Sequence, residues 1–253
     1  MRARLKRPRT PFAATVDIAG IACRITSNYV KPVYWAEAAP AFRPVRRPAM
    51  RVHVEYGRRQ GRLPWIAPAT VEDRPEIVAH RGFIEVRTAY YVATIRLGGR
   101  DVVVRMQAGF GVGGLMHTLY AWWLLRRRGF LVRAHREERG GASWLVMPPD
   151  RGEATNGGTE IFAVRRTRTG WVSHATPFGV AGAPAANTAM PVRGLRVGMS
   201  TDAPVSSATG ACALARHITV VDRQRHAVSR LLALLADFVQ DVSCVHEGTV
   251  AVR

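Results

Sequence analysis

Cysteine is scarce in this chain of 253 residues: only Cys23, Cys212 and Cys244 occur, and they stand far apart. That excludes a disulfide framework and any Cys-x-x-Cys metal pattern, and the thiols read as buried and free in a reducing compartment. Long apolar runs are missing too. No stretch of about 18 uninterrupted apolar residues exists, so no membrane-spanning helix is expected. The opening, MRARLKRPRTPF, is basic but has no apolar segment behind it. This argues against a secretory signal and for a cytoplasmic protein. Acid is the third shortage. Asp and Glu number 18 against 37 Lys and Arg, a formal net charge of +19. Such a charge attracts nucleic acid, anionic membrane or an acidic partner. The arginines are scattered and form no block, so charge alone supports only non-specific attraction to nucleic acid.

What is present is enough for a core. Hydrophobic residues make up 47% of the chain, which suits one large domain or two small ones. Residues 1–11 read as a basic, disordered arm. Residues 12–108 read as a β-rich region. Thr15 to Ile18 and Ile21 to Thr26 alternate as strands do around Ala19-Gly20, a hairpin signature, and Arg51 to Tyr56 follows. A loop rich in Gly, Pro and Arg covers 57–75. Four short strands come next, Ile77 to Ala79, Phe83 to Thr88, Tyr91 to Leu97 and Val102 to Met106. They read as an antiparallel meander turned at Arg81-Gly82 and at Gly98 to Asp101.

Residues 109–253 form the second region. It opens on Gly109-Phe110-Gly111-Val112-Gly113-Gly114, which matches G-x-G-x-x-G. The helix behind it is crowded with Tyr120, Trp122 and Trp123, where close packing at the glycines favours small residues. No βαβ repeat follows, so a dinucleotide site is not expected. The helix, Leu115 to Arg128, ends in three arginines that complement its dipole. Strands Phe130 to Ala134 and Ala142 to Met147 are joined by Gly140-Gly141. Ile161 to Val164 and a turn at Thr176-Pro177-Phe178-Gly179 come later. Residues 180–212 are small and polar and read as loop, apart from a strand at Gly194 to Met199. Val228, Leu231, Leu232, Leu235, Phe238 and Val239 repeat at helical spacing and mark the clearest helix, within 211–240. A final strand lies at Val242 to Val245 or Thr249 to Val252.

This order of helix, strand, Gly-Gly turn, strand, loop, strand and Thr-Pro-Phe turn resembles the core of the HPr kinase/phosphorylase-like family, bacterial P-loop serine kinases. The resemblance covers roughly residues 113–245. It implies a mixed α and β fold: an N-terminal antiparallel β-rich part, a reduced P-loop kinase-like core and a C-terminal helix. It also implies ATP and Mg2+ as cofactors, with Gly152, Thr155 and Asn156 beside the phosphates and His135 and Glu160 as catalytic groups. By strict register the family's histidine position is Arg133, with His135 two residues on and on the same strand face.

The loop itself departs from the family pattern. A Walker A loop is G-x-x-x-x-G-K-[ST], and its backbone N–H groups and lysine hold the phosphates. Here the residues are Pro148, Pro149, Asp150, Arg151, Gly152, Glu153, Ala154 and Thr155. Only Thr155 matches. Ala154 stands where the lysine belongs, Glu153 adds negative charge, and the prolines carry no N–H. Asn156-Gly157-Gly158 then leads directly to Thr159-Glu160, where the family has a helix. Its acidic pair is reduced here to Glu160. The expectation is a degenerate relative without ordinary ATP-dependent kinase activity that binds a protein or peptide. The resemblance implies a precursor peptide or partner enzyme of a peptide-modifying system, and a homo-oligomer. Two alternatives stand beside it: an active serine kinase or phosphatase using Thr155, Glu160 and His135, and a basic nucleic-acid-binding module.

Overall fold

The computed structural model describes residues 12–28, 48–57, 75–88, 90–96, 100–107, 112–147, 160–178, 188–197, 206–220 and 225–246. Thirteen strands and three helices lie among them, in the mixed α and β fold expected. The chain divides into two compact units, Met1–Met116 and His117–Arg253.

The first unit holds β1 (Phe12–Ile18), β2 (Ile21–Ser27), β3 (Met50–Tyr56), β4 (Glu76–His80), β5 (Phe83–Arg87), β6 (Tyr91–Arg96) and β7 (Asp101–Met106). They form one sheet in the order β1-β2-β3-β7-β6-β5-β4. Ala19 and Gly20 turn the first hairpin with φ of 55° and 72°, the paired positive angles that a two-residue hairpin loop needs. From β4 to β7 the strands pair antiparallel in sequence, as the meander was expected to. β3 runs parallel to both β2 and β7, so the sheet as a whole is mixed. Period-2 alternation decides its faces. In β3, Met50, Val52 and Val54 are buried while Arg51, His53 and Glu55 are exposed. β7 repeats this with Val102, Val104 and Met106 inside.

The helix α1 (Val112–Arg126) begins in the first unit and continues into the second. A turn at Arg127-Arg128 leads to β8 (Gly129–Arg139), β9 (Ala142–Met147), β10 (Glu160–Thr167), β11 (Gly170–Ala175) and β12 (Ala189–Val197). Helices α2 (Ser207–Arg216) and α3 (Arg225–Asp241) and strand β13 (Ser243–His246) follow. The sheet order is β11-β10-β8-β9-β12-β13, and β11 also pairs with β12. Thus β8, β9, β12, β11 and β10 close on themselves. β9, β12 and β13 are mutually parallel neighbours; the other pairings are antiparallel.

One face of this sheet carries Phe130, Val132, Leu145, Phe162, Val164, Trp171 and Leu195, packed with Leu234, Leu235 and Phe238 of α3. Phe238 meets Phe130 and Trp171 edge to face, with centroids 5.4 and 5.1 Å away. Such pairs add about 0.5–1.5 kcal/mol beyond area burial. Trp171 Nε1 donates to Asp241 at 2.9 Å, and Arg166 bridges Asp237 and Asp241 at 2.8 and 3.1 Å. Of the stripe read from sequence spacing, Leu231, Leu235, Phe238 and Val239 are buried, but Leu232 is 56% exposed, and Ala227 and Leu234 are buried instead.

Several expectations change. Of the thiols expected to be buried only Cys23 is; Cys212 is exposed and Cys244 half-buried. The strand expected at Gly194 to Met199 runs over Ala189–Val197. The loop expected over 180–212 ends early, because α2 starts at Ser207. Ser206 caps it, its hydroxyl accepting from Thr209 N at 3.2 Å. Alanine-rich composition supports such a helix without the large apolar stripe that would announce it. The strand expected to stop at Ala134 continues to Arg139, since His135 to Arg139 pair with β9 through backbone bonds that need no apolar side chain.

Candidate functional site

β9, β12 and β13 point their C-terminal ends the same way, at Met147, Val197 and His246. β10 starts at the same level, because Glu160 pairs with Ala134 while the next residue of β8, His135, pairs with Val146 of β9. Gly152, Thr155 and Asn156, expected beside phosphates, lie outside the described residues.

The two expected catalytic groups are neighbours in register but not in direction. Opposed residues of a strand pair share a face, and successive residues alternate. Glu160 therefore shares the face of Ala134 and Phe162, while His135 shares the face of Arg133 and Val146. Both are exposed. Alternation thus sets the acid and the base on opposite faces of the sheet.

A polar cluster that the sequence did not announce sits on the His135 face. Residues 217–219 add to the edge of β8: Arg133 N donates to His217 O at 2.9 Å and Thr219 N to Leu131 O at 3.2 Å. This brings Thr219 Oγ1 within 3.0 Å of Nε2 of His117 on α1. The His117 pKa falls from its ordinary 6.5 to about 4, first through desolvation and then through the Arg133 charge. A neutral imidazole of that pKa is a sound hydrogen-bonding group but a weak base at neutral pH. Phe178 packs beside it, its ring centroid 5.5 Å from His117 and 5.8 Å from Tyr120. The Thr-Pro-Phe turn is fixed at its start, where buried Thr176 donates to the Ile161 carbonyl. The one sequence signal for His117 was its place as a titratable residue in the apolar run of α1.

A second cationic cluster surrounds β11. The pKa of His174 also falls to about 4, through desolvation first, then the charges of Arg165 and Arg136. Arg136 donates to Thr188 Oγ1 at 2.7 Å and to Glu138 at 3.3 Å, and its cation lies over the Phe162 ring. Its Nη1 is buried and has no hydrogen-bond partner among the described residues.

Pro148 to Thr155, the stretch that the family resemblance sets beside phosphates, also lies outside the described residues. Among the described residues no three His, Cys, Asp or Glu gather as metal ligands, and no described helix is long and apolar enough to cross a membrane. No protein-family model matches the chain, and no curated protein matches it either.

Proposed function

We propose that this chain is a degenerate HPr kinase-like protein that works by binding a protein or peptide and lacks ordinary ATP-dependent kinase activity. The order of elements supports the kinship. An apolar helix, a strand, a Gly140-Gly141 hairpin and a second strand come in turn, and two further strands, β10 and β11, precede the Thr-Pro-Phe turn. The observation that carries the loss of activity is the separation of His135 and Glu160 onto opposite faces of β8 and β10. Phosphoryl transfer rests on positioned charge around the moving phosphate. Here the residue in the lysine position is Ala154, and the remaining acid and histidine lie on opposite faces.

The test is thermal stability with and without Mg-ATP, at low and at moderate salt. A ligand at one hundred times its Kd adds about 2.7 kcal/mol to the folded state. The expected result is no shift, or one that vanishes with salt as loose attraction to a basic chain does. A salt-resistant shift, or nucleotide hydrolysis that Glu160→Ala abolishes, overturns the reading in favour of an enzyme.

A further inference from the structure

The solvent face of the first unit's sheet carries a concavity of about 430 Å³, lined by Phe83, Glu85 and Arg87 of β5, Val92 and Thr94 of β6, and Val103 and Arg105 of β7. Register explains the grouping. Glu85, Thr94 and Val103 lie in one row across the strands, and Arg87, Val92 and Arg105 in the next. Alternation puts charged side chains on most of this face: Arg51 pairs with Asp101 at 2.7 Å, and His53 approaches Glu55. Within the concavity the pattern breaks. Phe83, Val92 and Val103 make an apolar floor, and Val103 is 46% exposed, a large hydrophobic residue left in water.

The charges around this floor are unequal. Glu85 is already matched, accepting from Arg87 Nε at 2.9 Å and lying 3.6 Å from His80. Arg105 makes no ion pair among the described residues. The groove thus offers an apolar strip with Arg105, unpaired among the described residues, at its rim, on a chain of net charge +19.

From this we infer that the groove docks an amphipathic acidic helix of a partner protein, its apolar stripe over Phe83, Val92 and Val103 and a carboxylate on Arg105. Size agrees: β5 to β7 span about 10 Å across strands spaced about 4.8 Å apart, the width of one helix. Strand addition does not compete here, because both edges of β5, β6 and β7 are already paired and an added strand needs a free edge. Charge selects the acidic sequence over a basic one.

The inference rests on reading the chain as a binding protein and supplies the surface. Its test uses the full chain and a synthetic fluorescein-labelled peptide with leucines at i, i+3, i+4 and i+7 and flanking glutamates. Two controls accompany it, a scramble of the same composition and a version with lysine for glutamate. Fluorescence anisotropy is read in roughly physiological salt, where exposed charges are largely screened. The acidic amphipathic peptide is expected to bind, and Val103→Asp and Arg105→Glu each to weaken it at least tenfold. Arg105→Gln is expected to weaken it less, and the lysine peptide not to bind. Circular dichroism of the variants should match the parent, since both side chains face solvent. No binding, or a scramble that binds equally well, overturns the groove. Binding that survives both substitutions also overturns it, yet leaves a partner-binding protein. A salt-resistant effect of Mg-ATP removes the binding-only reading without touching the groove.

Discussion

The two units solve the same problem, a sheet in water, in opposite ways. The first alternates. β3 and β7 bury every second residue and leave the others wet, so one face is core and the other is surface. The second is covered on both faces along β8 and β10. Phe130, Leu131 and Val132 are consecutive and all buried, as are Phe162, Ala163 and Val164. Antiparallel sheets commonly keep one face solvated, whereas strands covered on both sides read as continuous apolar runs. The lesson concerns where function has room. In the first unit the outward residues of β3 and β7 stay exposed. In the second, polar groups with altered chemistry survive at strand ends and helix contacts, as His117 does.

Neighbouring substitutions break this comparison most sharply. In the first unit Ile95→Ala should cost about 2–5 kcal/mol, while Thr94→Ala beside it should stay within about 0.5 kcal/mol. In the second unit both neighbours should be costly: Phe130→Ala about 3–5 and Leu131→Ala about 2–5 kcal/mol. Urea unfolding of the four variants reads this directly. A cheap Leu131→Ala would mean that the second face of β8 is not packed.

Gly194→Ala comes next. A methyl group there would run into the Trp144 ring, at the irregularity between Val192 and Gly194. Overpacking should cost about 1–3 kcal/mol. The double variant Gly194→Ala, Trp144→Ala should cost less than the sum of its two single changes. Additive losses would show that the ring is not what crowds the position.

Acid should distinguish the units as well. His117 and His174 keep their folded pKa near 4 against an ordinary 6.5. The unfolded chain therefore binds protons at these residues first as pH falls. Their contribution is complete above about pH 6.5 and is lost progressively down to about pH 4. Urea midpoints across that range should fall, and His117→Gln or His174→Gln should flatten the fall. An unchanged slope in both variants would remove the buried histidines as its cause.

Ion pairs carry the smallest effect. Arg166 joins α3 through Asp237 and Asp241, at 2.8 and 3.1 Å, and is partly shielded. Arg51 and Asp101 meet at 2.7 Å but are well exposed. Arg166→Ala should cost about 1 kcal/mol and Arg51→Ala less than about 0.5 kcal/mol, with salt reducing both. Equal losses would show that the network on α3 gains nothing from its setting.

Much of the local architecture was legible in the sequence. Ala19-Gly20 and Gly140-Gly141 announced hairpins because two-residue loops demand positive φ. Leu231, Leu235 and Phe238 announced α3 because helical spacing exposes one stripe to a core. α2 was not legible, since its residues are small and its stability comes from a cap and from contacts distant in sequence. The candidate site was legible as a set of residue types and not as an arrangement. His135 and Glu160 read as a pair, but pleat parity at the Glu160–Ala134 register separates them. Parity across two strands is set by pairing, which no local window contains.

The sequence by itself determined the charge of the chain, its alternation in the first sheet, its turns and its longest amphipathic helix. These depend on each residue's own chemistry and on neighbours within a few positions. Tertiary structure alone decided that β3 lies parallel between β2 and β7, that β11 returns to β12, and that His117 meets Thr219. It also decided that Phe83, Val92 and Val103 share one groove. Each of these joins residues far apart in the chain, and only long-range pairing and burial select among the many ways such segments could meet.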